Sequence, residues 1–317
     1  MIKKLKRRFI VFNLVTISII FLIVAGVLLI NNEHVNSHSE NMMWHRLAIS
    51  SVVFLGLALI ASILLAKLAL EPIKKSWKKQ LDFTADASHE LRTPLAVIQT
   101  SLDIILDNEE ETVKSQKEWL ESILLEHQRM TMLVDDLLTL SRGDTYEQVL
   151  DVEMVDLSEI IKEVKDAFLP ISIKKGIVIE EHLNTMPTMQ GDRKRIKQLL
   201  VILIDNAIKY MGREGSITVQ LDKKNKFMTR EEEIILTVND TGQGIEEEKL
   251  DKLFERFYRG DLARSQEGSG LGLAIAKWIV ESHQGKIRVE SRLGEGTSFI
   301  IELPTKLKKE KTKFKNS

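Results

Sequence analysis

The sequence predicts a chain in three parts: two transmembrane helices, an all-α hairpin that pairs with a second copy into a dimeric four-helix bundle, and an α/β-sandwich domain. Three observations predict it. Two apolar runs near the start are each long enough to cross a bilayer. Two long stretches then carry apolar residues at spacings of three and four, the helical period. After residue 150 the pattern changes to short β-rich runs between helical ones.

The first apolar run, residues 9–30, is interrupted only by Asn13, Thr16, Ser18 and small residues. The second, residues 47–70, carries no charge until Lys67, which sits where a long side chain can reach the headgroups. Both are near the roughly 20 residues that a spanning helix needs. A cleaved signal peptide is the alternative for the first run, but its apolar core exceeds the roughly 7–15 residues usual there, so we read a retained anchor. Lys3, Lys4, Lys6, Arg7 and Arg8 precede the first run, and Lys74, Lys75, Lys78 and Lys79 follow the second. The bias of basic residues to the inside puts both ends in the cytoplasm of a multi-pass cell-membrane protein, with residues 1–8 as a short cytoplasmic N-terminus. The loop outside, residues 31–46, is too small to bury a core. His34, His38 and His45 in and beside it are read as a polar loop, with metal binding or pH sensing as the sharper alternative.

The cytoplasmic part divides into a helical domain at 71–142, a linker at 143–150 around Gly143, an α/β domain at 151–305 and a Lys-rich tail at 306–317. Ala87, Leu91, Leu95, Ile98, Leu102 and Ile105 make one helical stripe, and Leu120, Ile123, Met130, Val134 and Leu137 a second. The break between them falls at Asp107-Asn108, and the second helix is expected over 112–141. A hairpin of two such helices buries one face of each, and a homodimer covers more. In the α/β part, Asp156 is expected to cap a helix to about Phe168, and residues 192–211 and 271–283 read as helices. Strands are expected at 177–179, 217–221, 234–238, 287–289 and 298–303, giving one sheet with helices on one face. The basic tail reads as solvated, with membrane lipid as its alternative contact.

Composition excludes some chemistry. No cysteine is present, so disulfides, thiolate metal sites and a cysteine nucleophile are absent. Lys+Arg is 45 against Asp+Glu 46, a balance that excludes neither a basic nor an acidic partner; no direct nucleic-acid contact is expected.

Two constellations carry chemistry. The first is Ser88-His89-Glu90-Leu91-Arg92-Thr93-Pro94-Leu95. At about 100° per residue, His89 lies opposite the apolar stripe, in water, with Thr93 one turn on and Glu90 beside it. An exposed helical histidine is usually only a surface residue, yet a neutral imidazole is a competent nucleophile when a carboxylate holds its other nitrogen. The second constellation lies in the α/β part, which has no Walker-type phosphate loop. Asn206 and Lys209 are three apart on one helix face, so an amide oxygen and an ammonium can meet one ligand. Asp240 ends a strand and precedes Gly242 and Gly244; Gly268, Gly270, Leu271 and Gly272 open a helix, whose N-terminus favours phosphate. Taken singly, each glycine group is more often a loop or tight packing than a ligand site.

Taken together, these segments resemble a known family. Residues 88–95 are similar to the phosphoacceptor box of the sensor histidine kinases of two-component systems. Asp205-Asn206-Ala207-Ile208-Lys209-Tyr210, Asp240 to Gly244, Phe254 to Arg259 and Gly268 to Gly272 resemble the N, G1, F and G2 boxes of the ATP-binding domain that these kinases share with gyrase; Gly294 to Thr297 resembles its last turn. The resemblance covers residues 74–304. It implies that His89 is phosphorylated, that Glu90 is its acid/base partner and that Thr93 positions water for dephosphorylating a partner. It implies ATP and Mg2+ as cofactors, with Asn206 on the metal, Lys209 and Arg259 on phosphate, Tyr210 beside the base and Asp240 on adenine. Gly242, Gly244, Gly268, Gly270, Leu271, Gly272 and Thr297 complete the ATP-binding set. The expected acceptor of the phosphoryl group is a response regulator. One departure is Ile202, where many relatives carry a second asparagine, which affects the Mg2+ coordination.

About 18 residues separate the second apolar run from His89, too few for the two-helix relay domain (HAMP) of many relatives. The stimulus is therefore expected at or in the membrane, from a partner membrane protein. Two alternatives stay open: a switch that binds ATP without catalysis, and an ATPase of the same fold acting as a chaperone or topoisomerase does.

Overall fold

In a computed structural model the described residues are 11, 13, 15–19, 21, 40–108, 110–143, 150–212, 214–225, 232–259 and 268–307. Most of the first expected span (9–30), the outer loop (31–46) before residue 40, and the basic tail beyond 307 lie outside them. The chain forms two compact units, Met1–Ala85 and Asp86–Ser317.

Helix α1 runs over Glu40–Asp107 and continues through Pro72 and Pro94. Among the described residues it is the one helix long and apolar enough to cross a membrane. In the first unit Phe21 stacks on Phe54 with ring centroids 4.4 Å apart. Ala58, Ser62, Ala66 and Leu70, at a spacing of four, are buried, while Val52, Leu57, Leu64 and Leu68 point outward with more than half of their surface exposed. Small residues on one stripe allow close helix approach, and the outer surface is apolar.

In the second unit, α1 ends where the sequence breaks. Gln116 closes that end: its amide donates to the carbonyls of Ile105 (3.1 Å) and Asn108 (2.9 Å), a second donor for acceptors that the N–H groups of Asn108 and Glu111 also reach. Helix α2 spans Lys117–Gly143, starting five residues later than expected because 113–116 form a turn instead. The expected stripes are only partly covered. Ala87, Leu91, Ile98, Ile105, Ile123, Met130 and Leu137 are half-buried, whereas Leu95, Leu102, Leu120 and Val134 remain exposed. The buried apolar positions of α2 are Leu133 and Leu140, one heptad apart, in a core shared with the α/β part. A lone hairpin has too few neighbours to cover both stripes.

The α/β part follows as β1 (Glu153–Asp156), α3 (Leu157–Lys175), β2 (Ile177–Leu183), β3 (Thr188–Gly191), α4 (Arg193–Tyr210), β4 (Gly215–Asn225), β5 (Glu232–Asp240), α5 (Glu247–Leu250), α6 (Gly272–Ser282), β6 (Lys286–Arg292) and β7 (Gly296–Pro304). The main sheet has the order β2-β4-β5-β7-β6, with β2 and β4 parallel and the rest antiparallel. Ile217, Val219, Leu221, Ile234, Leu236 and Val238 alternate inward, which buries one face under α3, α4 and α6. Short strands β1 and β3, not foreseen from sequence, pair as a separate two-stranded sheet.

Helix starts match their caps. Asp156 accepts from the backbone N–H of Ser158 (2.9 Å) and Asp192 from that of Arg195 (3.1 Å). Helix α3 runs past its expected end near Phe168 and through Pro170, stopping only at Gly176 with φ of 67°. Pro170 lacks one donor but cannot by itself stop a helix whose inner face is packed.

His283, fully buried at the end of α6, ties this helix to the start of α4. Its Nδ1 lies 2.8 Å from the Ile279 carbonyl and must donate; its Nε2 then accepts from the N–H of Asp192 at 3.0 Å. Burial pushes its pKa below the ordinary value, against the opposing pull of the Ile279 carbonyl and Asp192. Protonation would set N–H against N–H. The neutral ring therefore contributes stability above the free imidazole pKa of about 6.5, and this is lost as pH falls below it. Between about pH 8 and about pH 5 the thermal midpoint of the full chain should fall further, or rise less, than that of His283→Gln, whose side chain is a non-titrating acceptor; equal pH profiles in the two chains count against this role.

Candidate functional site

A cavity of about 910 Å3 lies within the second unit. One wall is α4, through Asp205, Asn206, Lys209 and Tyr210; the floor is the end of β5 with Asp240 and the start of β7 with Thr297. Tyr258 and Arg259 border it on one side and Gly268, Gly270 and Gly272 on another. The facing wall is the hairpin, with Glu90, Thr93 and Pro94 from α1 and Glu126, Arg129 and Asp136 from α2. Of the residues singled out in the sequence, the cavity gathers Glu90, Thr93, Asn206, Lys209, Tyr210, Asp240, Gly244, Arg259, Gly268, Gly270, Gly272 and Thr297. Three stand off it. His89 is exposed on α1 next to the lining residue Glu90, and Gly242 and Leu271 are buried behind the wall.

Asp240 is 6 % exposed. Its Oδ1 accepts from the backbone N–H of Gly242 (2.8 Å) and of Thr297 (3.3 Å). Burial raises its pKa, and the two N–H groups oppose that rise. A buried carboxylate with a second oxygen turned to a cavity is a strong acceptor for a ligand donor. Register brings Thr297 there, because Asp240 and Thr297 are direct partners across β5 and β7.

Lys209 is paired with Asp205, one turn back, at 2.6 Å. Asn206 is half-buried on the same helix. Among the described residues no three His, Asp or Glu side chains gather to hold a metal by themselves. A single amide oxygen suits Mg2+ only where phosphate oxygens and water supply the other ligands, which is the usual way this ion is bound. The residues present thus fit a magnesium–polyphosphate, not a free ion. Ile202 touches the start of α6: a Cβ added at Gly272 would lie 3.4 Å from its Cγ2. Its apolar side chain serves packing where the family pattern has an amide.

The glycines answer to the backbone. At Gly244, φ is +69° and a Cβ would collide with the Arg292 carbonyl; at Gly270, φ is +70° and a Cβ would meet the Phe257 backbone at 2.9 Å. Phe257 itself has φ of 59°, a left-handed conformation costly for a bulky residue, and precedes the lining residues Tyr258 and Arg259. Phe254 is held edge-on to Phe299 with centroids 6.5 Å apart.

The sequence compares with known proteins over these same segments. Residues 79–145 match the family model described as His Kinase A (phospho-acceptor) domain, and residues 191–307 the one described as Histidine kinase-, DNA gyrase B-, and HSP90-like ATPase. Together the two matches take in more than half of the 317 residues. The chain belongs to the sensor histidine kinases. Sensor histidine kinase RppB of Synechocystis sp. is 34% identical over 272 residues, 85% of this chain and 58% of the relative. Signal transduction histidine-protein kinase ArlS of Staphylococcus epidermidis is 39% identical over 236 residues, 73% of this chain and 50% of the relative. The chain thus spans about half the length of these curated relatives. Among solved structures, histidine kinase ThkA in complex with response regulator protein TrrA matches with a TM-score of 0.57 at 28% identity, covering 75% of this chain and 66% of that one.

The kinase family motifs account for the α/β wall of the cavity but not for its α2 wall. There Glu126, 9 % exposed, is ion-paired with Arg129 at 2.8 Å. Burial, with a smaller contribution from Asp135, pushes the Asp136 carboxyl up to about 6. No motif marks these residues; they face the cavity because α2 packs on α6. Since the folded pKa of Asp136 lies above the ordinary value of about 3.9, its contribution to stability is full below that value and is lost as pH rises through about 6. Asp136→Asn should therefore raise the thermal midpoint of the full chain at about pH 8 and leave it nearly unchanged at about pH 4.

Proposed function

We propose that the chain is a membrane-anchored protein-histidine kinase that phosphorylates its own His89 from Mg-ATP, passes the phosphoryl group to an aspartate of a response regulator, and dephosphorylates that regulator. The observation that carries this reading is the shared cavity: the turn after His89 and the Asn206, Lys209, Asp240 constellation form walls of one space. The mapped kinase and ATPase domains support it. Support for the partner comes from the ThkA complex with its response regulator.

In this reading Asp240 accepts from the adenine amino group and Tyr210 packs beside the base. Lys209 and Arg259 neutralise phosphate oxygens, and the backbone from Gly268 through Leu271 to Gly272 presents N–H groups at the start of α6. Asn206 offers its amide oxygen to Mg2+, which supplies charge neutralisation on the polyphosphate when bound. The Nε2 of His89 attacks the γ-phosphorus, a new N–P bond forms, and the P–O bond to ADP breaks in line. Glu90 holds the other ring nitrogen and takes up its proton as charge develops, worth about 10²–10⁴ in rate. His89 lies off the cavity wall, so the α/β domain has to shift along the hairpin to bring the phosphate to it.

Two further elements support the cellular setting. The apolar surface of α1 and the basic residues flanking the two runs suit two membrane spans with both ends inside. The exposed stripe residues Leu95, Leu102, Leu120 and Val134 suit a homodimer. Stimulus recognition is assigned to the membrane region and a partner there.

The test is labelling of the full chain with ATP tagged on the γ-phosphate. The expected label is acid-labile and base-stable, is absent from His89→Gln, and is absent from Asn206→Asp although that variant stays folded. Normal labelling of His89→Gln overturns the assignment; free phosphate without protein label identifies an ATPase instead. Thr93→Ala should keep autophosphorylation and slow dephosphorylation of the regulator by about tenfold or more, consistent with loss of a positioned polar group. Equal loss of both activities rejects the division of roles.

A further inference from the structure

The cavity floor holds a hydroxyl pair whose protons can be placed by counting. Ser291 lies on β6, outside the cavity wall, and its Oγ has three close neighbours. The backbone N–H of Ile245 donates to it at 2.8 Å. The carbonyl oxygen of Gly296 lies 2.7 Å away, and the hydroxyl of Thr297 3.0 Å away. A serine hydroxyl has one proton and two acceptor positions. A carbonyl oxygen has no proton to give, so at 2.7 Å the serine proton must lie on the line to Gly296. Ile245 fills one acceptor position. The contact to Thr297 is then a hydrogen bond only if Thr297 donates.

This settles what Thr297 shows to the cavity. Its proton is turned away to Ser291, so its Oγ1 presents lone pairs alone. Beside it, Oδ1 of Asp240 is held as an acceptor by two backbone N–H groups. Thr297 is 6 % exposed and Asp240 likewise, so neither side chain can readily rotate away or be rescued by bulk water. The floor is therefore a pair of acceptors with no donor between them. It matches a purine bearing an exocyclic amino group and opposes one bearing an oxo group at the same place.

We propose that Ser291 is the positioning residue that sets nucleobase selectivity: by taking the Thr297 proton it makes the floor all-acceptor and so favours an amino-purine nucleotide over an oxo-purine one. The proposal rests on the reading of the cavity as an ATP site. No sequence motif marks Ser291, and it reaches the ligand only through Thr297.

The test measures binding of ATP and of inosine triphosphate, with Mg2+, to the full chain in detergent. The two nucleotides differ in the amino or oxo group on the base and the adjoining ring proton. The wild-type chain should favour ATP by about tenfold or more, the ratio expected when one buried polar group meets a mismatched partner. Ser291→Ala frees the Thr297 proton to turn into the cavity, and the ratio should fall by about threefold or more while still favouring ATP, because Asp240 remains an acceptor. Ser291→Thr keeps the hydroxyl and should restore it. Thr297→Val should lower the ratio similarly, and adding Ser291→Ala to it should change the ratio no further, as for two residues acting through one contact. An unchanged ratio in Ser291→Ala, additive effects in the double variant, or loss of both nucleotides in a folded Ser291→Ala overturns the proposal. If the wild-type chain binds neither nucleotide, the ATP reading fails first, and that outcome is distinct from the others.

Discussion

A carboxylate kept 6 % exposed is the constraint around which the α/β part is organised. Asp240 can stay charged there only if hydrogen-bond donors are delivered to it, and the backbone delivers both. One comes from the turn that leaves β5, which requires Gly242, because a Cβ there would crowd Oδ1 of Asp240 at 2.8 Å. The other comes from β7, which requires the register that sets Thr297 opposite Asp240. Gly296, just before it, has its Cβ position filled by the Asp240 backbone. Strand order, register and two glycines thus follow from keeping one acidic group in the floor of a cavity.

The hairpin obeys a different constraint. Its two helices carry more apolar surface than one chain covers, and the structure divides that surface. Leu133 and Leu140 go to the core of the α/β part, while Leu102 and Val134 are left uncovered by this chain. The same helix therefore has two customers for its apolar residues, the α/β part on one face and an external surface on another. A helix with an apolar stripe and a second, narrower apolar seam can release one contact while keeping the other.

Much of this was legible in the sequence, for identifiable reasons. Asp156 announced a helix start because a side-chain acceptor before an apolar period has few other uses; the capping role of Asp192 appears only in the structure. The five long strands were legible from their apolar runs, and many of the residues that line the cavity from boxes spaced along the chain. What escaped has local causes. Strands β1 and β3 have four residues each, too short for a period to show. Helix α3 was expected to end near Phe168, and packing of its inner face carries it on through Pro170. Gln116 and Ser291 work by reaching across to backbone groups far from them in sequence, and nothing local distinguishes them from any polar residue. The exposed leucines of the hairpin could not be sorted from the buried ones, because the period gives the face and not the neighbour.

The ion pair of Lys209 with Asp205 bears on how a ligand enters. Both side chains are about two-fifths exposed, 38% and 43%, and a pair so open to water holds together by about 0–1 kcal/mol. The cation that faces the cavity is thus already oriented by a neighbour one turn away, yet it is held loosely. On the reading proposed above, an arriving polyphosphate would not have to gather a wandering ammonium from solvent; it would displace a weak internal anion from a cation already in place. On the proposed reading, entry is an exchange of counterions within a prepared site, and the carboxylate set free remains beside Asn206, on the same turn of helix.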